Sequence, residues 1–137
     1  MRPPVLLLLV SVLVSACATV PQTEPLQGDG RHLRNVTQLT DDGDNGEAYF
    51  SPDGTKLIFQ SSRGGVACDK IWTMRIDGSD KRRVSPDHGA NTCSFFLPDG
   101  RIVFSSTSHI PGDCPPKPQS PTGVRYVWPL YPYDIYI

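Results

Sequence analysis

YFSPDGTKLIFQSSR, residues 49–63, and FFLPDGRIVFSSTS, residues 95–108, are two versions of one design. Each runs from an apolar strand through a Pro-Asp-Gly turn into a second apolar strand. In Ser51-Pro52-Asp53-Gly54, Pro52 presets the backbone for the second position of a type I turn, and Gly54 can take the left-handed conformation that closes a hairpin with a bulge. Leu97-Pro98-Asp99-Gly100 repeats that chemistry 46 residues later. The strand after each turn is continuously apolar, Leu57-Ile58-Phe59 and Ile102-Val103-Phe104, as in strands buried on both faces.

Beyond a seven-residue loop the first copy continues through residues 71–76, IWTMRI, where Trp72, Met74 and Ile76 share one face at period two. Asp77-Gly78-Ser79-Asp80 then turns the chain into Lys81-Arg82-Arg83-Val84-Ser85, a polar strand whose cations suit an exposed edge. A repeat of roughly 40–45 residues carrying four strands marks a propeller blade. The predicted fold is all-β: an incomplete β-propeller of four-stranded antiparallel blades.

The second copy differs in its connection. Residues 109–132 are about twenty residues longer than the matching loop of the first copy and hold seven prolines, which forbid strand pairing and favour a stiff loop over the blade end. Tyr133-Asp134-Ile135-Tyr136-Ile137 then matches Asp69-Lys70-Ile71-Trp72-Thr73 as a third strand. Upstream, residues 31–40 (RHLRNVTQLT) match residues 81–85, with Leu39-Thr40 standing where Val84-Ser85 stands. This predicts an orphan outer strand, followed by one full blade and one partial blade.

SPDGTKLIFQSSR, DKIWTMRIDGSDKRRVS and FLPDGRIVFSS resemble the WD-like, Pro-Asp-type repeats of the TolB family of periplasmic propellers. More narrowly, TCSFFLPDG, DCPPKP and VWPLY followed by YDIYI resemble a bacterial group of TolB-like propeller lipoproteins. The resemblance covers residues 31–137 and implies a cell-envelope propeller. It implies little about activity, because propellers host many functions.

The N-terminus fits that address. Residues 1–16 begin with Arg2, pass through an apolar core at 5–14 and end in small residues; too short to span a bilayer core that needs about 20 residues, they read as a lipoprotein signal peptide. Val14-Ser15-Ala16-Cys17 resembles a lipobox that would leave Cys17 lipidated as the first mature residue; the competing reading is ordinary cleavage at Ala16-Cys17-Ala18. Several acyl chains give a stable anchor, and Ala18 after Cys17 favours outer-membrane retention facing the periplasm, by analogy with other lipoproteins. Residues 17–30, with Pro21, Pro25, Gly28 and Gly30, read as a flexible tether. The propeller then occupies 31–137.

About 120 residues remain after cleavage, whereas four blades need about 160. The chain therefore reads as the N-terminal part of a longer propeller. A net charge of −1 and a pI near 6.2 give no electrostatic case for nucleic acid, and membrane association is expected through the lipid anchor only. Lys81-Arg82-Arg83 reads as a solvated edge rather than a phosphate or partner patch.

Cys68 in the loop between the second and third strands, Cys93 in the blade-to-blade connection and Cys114 in the proline loop fall on one end of the predicted blades, in an oxidising compartment where bridges persist. Cys93–Cys114 would staple the proline loop to its own blade, with Cys68–Cys93 as the rival pairing. Asp41, Asp42, Asp44 and Glu47 could offer oxygens to Ca²⁺, but do not follow the EF-hand pattern and read first as an ordinary acidic turn, with calcium the weaker alternative. His32, His88 and His109 are scattered, with no metal-ligand spacing. Tyr126, Trp128, Tyr131 and Tyr133 either pack the long loop onto the blades or form an aromatic recognition surface.

With no nucleophile elbow, zinc-protease helix or phosphate loop, the expectation is a non-enzymatic module binding a protein, peptide or other envelope component, with no cofactor. Two alternatives stand beside it: the N-terminal propeller of a prolyl-oligopeptidase-type serine peptidase, and a gene fragment without function.

Overall fold

A computed structural model describes residues 31–119, 123 and 130–137. The signal segment, Cys17, the tether, Tyr126 and Trp128 lie outside the described residues. The chain divides into two units, one ending at Thr37 and one running from Gln38 to Ile137. In the first, Asn35 takes a left-handed φ of 52° and its carbonyl accepts a 3.5 Å hydrogen bond from the Thr37 hydroxyl. The second unit holds every strand described below.

That unit is all-β, with no helix among the described residues and none long and apolar enough to cross a membrane. β1 (Asn45–Phe50), β2 (Lys56–Ser61), β3 (Lys70–Arg75) and β4 (Arg82–Arg83) form one antiparallel sheet in chain order. β5 (Asn91–Phe96), β6 (Ile102–Ser106) and β7 (Asp134–Tyr136) form a second, also in chain order. Neither closes into a barrel.

The turns follow from their residues. Gly54 and Gly100 both adopt positive φ, 68° and 85°, and both donate backbone hydrogen bonds of 2.9 Å three residues back, to Ser51 and Leu97. The Asp53 carboxylate locks the first turn by accepting from the Ser51 hydroxyl at 2.6 Å and from the Thr55 amide at 3.1 Å. The first connection closes from Ser51 to Lys56 and the second from Leu97 to Arg101. This one-residue difference changes the repeat offset from 46 before the turn to 45 after it.

Pairing register carries the repeat through the third strand. Phe59 faces Trp72 and Gln60 faces Ile71 in the first sheet; Phe104 faces Tyr136 and Ser105 faces Ile135 in the second. The match of residues 133–137 to 69–73 is therefore structural. β4 is an exposed arginine pair, with Arg82 beside Asp80 at 2.7 Å and Arg83 paired with Asp87.

Cross-strand partners share a face, so the first sheet has two distinct sides. One side carries Leu57, Phe59 and Met74, against which Leu39 and Trp72 pack. The other carries Ile58 and Ile71, both fully buried, where β5 of the second sheet lies. Tyr49 and Phe95 meet across this junction with ring centroids 4.1 Å apart. The Asn91 amide donates to the Asp69 carbonyl at 2.8 Å, joining the sheets through backbone.

Three expectations are corrected. Residues 31–40 form no strand beyond a single bridge residue at Val36; Leu39 instead contributes as an apolar plug against Leu57, Phe59 and Met74. Ile76 does not share the buried face of Trp72 and Met74, because β3 ends at Arg75, whose amide turns back to the Ser79 carbonyl. Ile102-Val103-Phe104 is half-buried rather than buried on both faces. The outward face of its sheet leaves Ile135, the counterpart of Ile71, 69% exposed.

Candidate functional site

Two matching turns lead into the site. The Asn45 side-chain amide donates to the carbonyls of Asp42 and Gly43 at 3.0 and 2.8 Å. The Asn91 amide donates to those of His88 and Gly89 at 3.4 and 3.0 Å. Gly43 and Gly89 sit at φ 71° and 75°, where a Cβ would lie 2.5 Å from the Arg63 amide nitrogen and 2.9 Å from that of Ser108. Only glycine satisfies both the angle and the approach.

Two residues after each asparagine the strand bulges. Register slips between Gly46 and Tyr49 in β1 and between Thr92 and Phe95 in β5. Glu47 and Cys93 take φ of 53° and 50°, an uncommon conformation for residues with a side chain. Bulges of this kind re-aim side chains. Both residues line one cavity of about 670 Å³ beside the junction of the sheets.

Gln60 organises its floor. The Gln60 side-chain oxygen accepts from the Cys93 amide at 3.1 Å and from the Thr92 hydroxyl. Its NH₂ donates to the Asp69 carboxylate at 3.1 Å. Gln60 and Ser105, at matching positions in β2 and β6, both line the cavity.

The long loop builds the far wall with Lys117, Leu130, Tyr131 and Tyr133. Tyr131 and Tyr133 pack edge to face, 5.8 Å between centroids, and the Tyr131 hydroxyl donates to the Pro115 carbonyl at 3.2 Å. A disulfide between Cys68 and Cys114, Cα atoms 5.7 Å apart, clips the loop to the first sheet. Alongside it, the buried Lys70 ammonium donates to the Gly89 carbonyl at 2.5 Å and the Asp113 carbonyl at 2.9 Å. Burial, and Arg83 secondarily, hold Lys70 below the usual lysine range.

The electrostatics of the cavity are acidic and partly dry. Burial, followed by the charge of Asp44, pushes the Asp69 carboxyl up, and Lys117 opposes this only in part. Burial and then Asp69 raise Tyr131 and push Tyr133 up to about 12. In each case burial shifts the balance towards the protonated form relative to the same group in water.

Both disulfide pairings expected from the sequence, Cys93–Cys114 and Cys68–Cys93, are corrected. The bulge turns Cys93 to the cavity as an exposed free thiol, while Lys70 draws the loop at Asp113 onto the first sheet beside Cys68. Cys93 also lies within β5 rather than in the connection preceding it.

The Ca²⁺ candidates are not gathered. Asp42 accepts from the Gly64 amide at 3.1 Å, Asp41 lies 3.8 Å from the Arg63 guanidinium, and Glu47 accepts from the Tyr49 hydroxyl at 3.3 Å. Among the described residues no three His, Cys, Asp or Glu side chains are grouped to hold a metal ion. His109 sits 3.2 Å from Asp134, and the His88 carbonyl accepts from Asn91.

Sequence reasoning missed Gln60, Asp69 and Lys117, and gave Glu47 and Cys93 other roles. The signal was present: Gly43-x-Asn45 and Gly89-x-Asn91 extend the 46-residue repeat upstream of the hairpins and put Glu47 in register with Cys93.

No protein-family model matches the chain, and no solved structure does. It is 36% identical over 72 residues to the uncharacterized protein Atu1656 of Agrobacterium fabrum, a match covering 51% of this chain and 24% of that protein. The chain thus spans about a quarter of the length of this relative.

Proposed function

We propose that the chain is part of a lipid-anchored, TolB-like β-propeller of the bacterial cell envelope, a non-enzymatic module that binds a protein, peptide or other envelope component. The observation that carries this reading is the equivalence of the two sheets. Turn glycines, asparagine turns and bulges recur 46 residues apart, the pairing of β2 with β3 recurs in β6 with β7, and one sheet stacks on the other as successive blades do.

The outward face of the second sheet supports a ring. There Ile135 is 69% exposed, whereas its counterpart in the first sheet, Ile71, is fully buried on the side where β5 lies. The lipid anchor rests on the lipobox-like residues before Cys17.

The test is to purify the protein from envelopes of its own host and image it by negative-stain electron microscopy. A disc with a central channel is expected, and particles without one would overturn the ring. Cys17→Ser should release the protein from the membrane fraction; retention there would overturn the anchor.

A further inference from the structure

We propose that the cavity between the two sheets and the proline loop binds an organic cation, an alkylammonium or guanidinium group carried by a basic peptide or by a free amine. This deepens the binding reading above and does not depend on ring closure.

The cavity is about 670 Å³, within the range of roughly 300–1,000 Å³ typical of small-ligand sites. Its two carboxylates come from different elements, Glu47 from the β1 bulge and Asp69 from the residue preceding β3. Neither is placed by chance packing. Backbone at φ 53° aims Glu47, and the Gln60 amide, itself pinned by the Cys93 N–H, holds Asp69. Among the described lining residues Lys117 is the single cationic side chain, and the two carboxylates outnumber it.

The same wall presents Tyr131 and Tyr133 edge to face. Two carboxylates and two tyrosine rings lining one cavity attract an organic cation through charge and through the rings' π-electrons, whereas an anion meets like charge. A hard metal cation is the poorer fit, since no three acidic side chains converge among the described residues.

The test is calorimetric titration of the purified full chain at pH 7 with acetyl-arginine amide, cadaverine, acetyl-glutamate amide and maltose. Binding of the first two is expected. Glu47→Gln and Asp69→Asn should each weaken it at least tenfold, and Lys117→Ala should tighten it. Circular dichroism checks that each variant is folded; should Glu47→Gln unfold the chain, Lys117→Ala alone decides, and no tightening overturns the proposal. Binding of arginine amide without cadaverine assigns a peptide source, and the reverse a free amine. If maltose or the glutamate amide binds and the cations do not, the cation assignment falls while the envelope-binding reading stands. If nothing binds to folded protein, the cavity is overturned as a site, whatever particle shape microscopy shows.

Discussion

Glu47 and Cys93 occupy the same place in successive sheets: each is the left-handed residue of the bulge in its sheet's first strand, and each points into one shared cavity. Left-handed backbone costs a side-chain-bearing residue roughly 1–2 kcal/mol. Cys93→Gly should therefore raise the melting temperature and Cys93→Val lower it, each by an amount equivalent to about 1 kcal/mol. Thermal denaturation followed by circular dichroism measures both. A melt unchanged by either substitution would show that the bulge is not held in this conformation.

The glycines before the bulges separate angle from contact. Gly43→Ala and Gly89→Ala must place a methyl against backbone at 2.5 and 2.9 Å as well as accept positive φ. Each should cost about 2–4 kcal/mol. Gly54→Ala and Gly100→Ala meet open space at similar angles and should cost only about 1–2 kcal/mol. Urea denaturation of the four variants ranks them, and equal losses would contradict the close approach.

Cysteine accessibility tests the loop clip. Without reductant, iodoacetamide should modify Cys93 and spare Cys68 and Cys114, as peptide mass mapping would show. The bridged residues are 46 apart, for which chain-entropy arguments give a stabilisation of about 4 kcal/mol. Cys68→Ala and Cys114→Ala should be equally destabilising and together no worse than either alone. Cys93→Ala should not share that loss.

Two aspartates should titrate in opposite directions. Hydrogen bonds from Ser51 and then Thr55 hold Asp53 down at about 2. Its contribution is present above the unfolded-state value near 3.8 and is lost as pH falls towards about 2. Asp69 is raised by burial, so it favours the folded state most below the unfolded-state value, and that favour is lost as pH rises through its folded value. Carbon-13 NMR of the carboxyl groups should find Asp69 titrating well above Asp53; the reverse order would refute the buried, acidic cavity.

Much of the sheet architecture was legible before any coordinates. Pro52-Asp53-Gly54 and Pro98-Asp99-Gly100 announced two hairpins through turn chemistry alone, and alternation of Trp72 and Met74 located β3. Local rules suffice there, because turns and strand faces depend on residues a few positions apart. Where the chain needed partners distant in sequence, the reading faltered. Residues 31–40 look like a strand by their match to residues 81–85, yet a strand also needs a neighbouring edge to pair with; Leu39 packs on the first sheet's core instead.

The cavity lay furthest from the sequence. Glu47, Gln60, Asp69 and Lys117 are spread over 71 positions of ordinary polar residues, and nothing in their spacing marks them as neighbours.

By itself, the sequence determined an all-β chain built from a repeating Pro-Asp-Gly hairpin, with the third strand of the second copy in register with that of the first. Those properties are written in local backbone preference and in periodicity. Only the tertiary structure decided that Cys68 bonds Cys114, that Cys93 stays free, and that Glu47 and Asp69 share a cavity with two tyrosines. The reason is that these depend on how one sheet stacks upon another and on where Lys70 draws the loop. Such distances are set by packing between segments far apart in the chain, which no local pattern encodes.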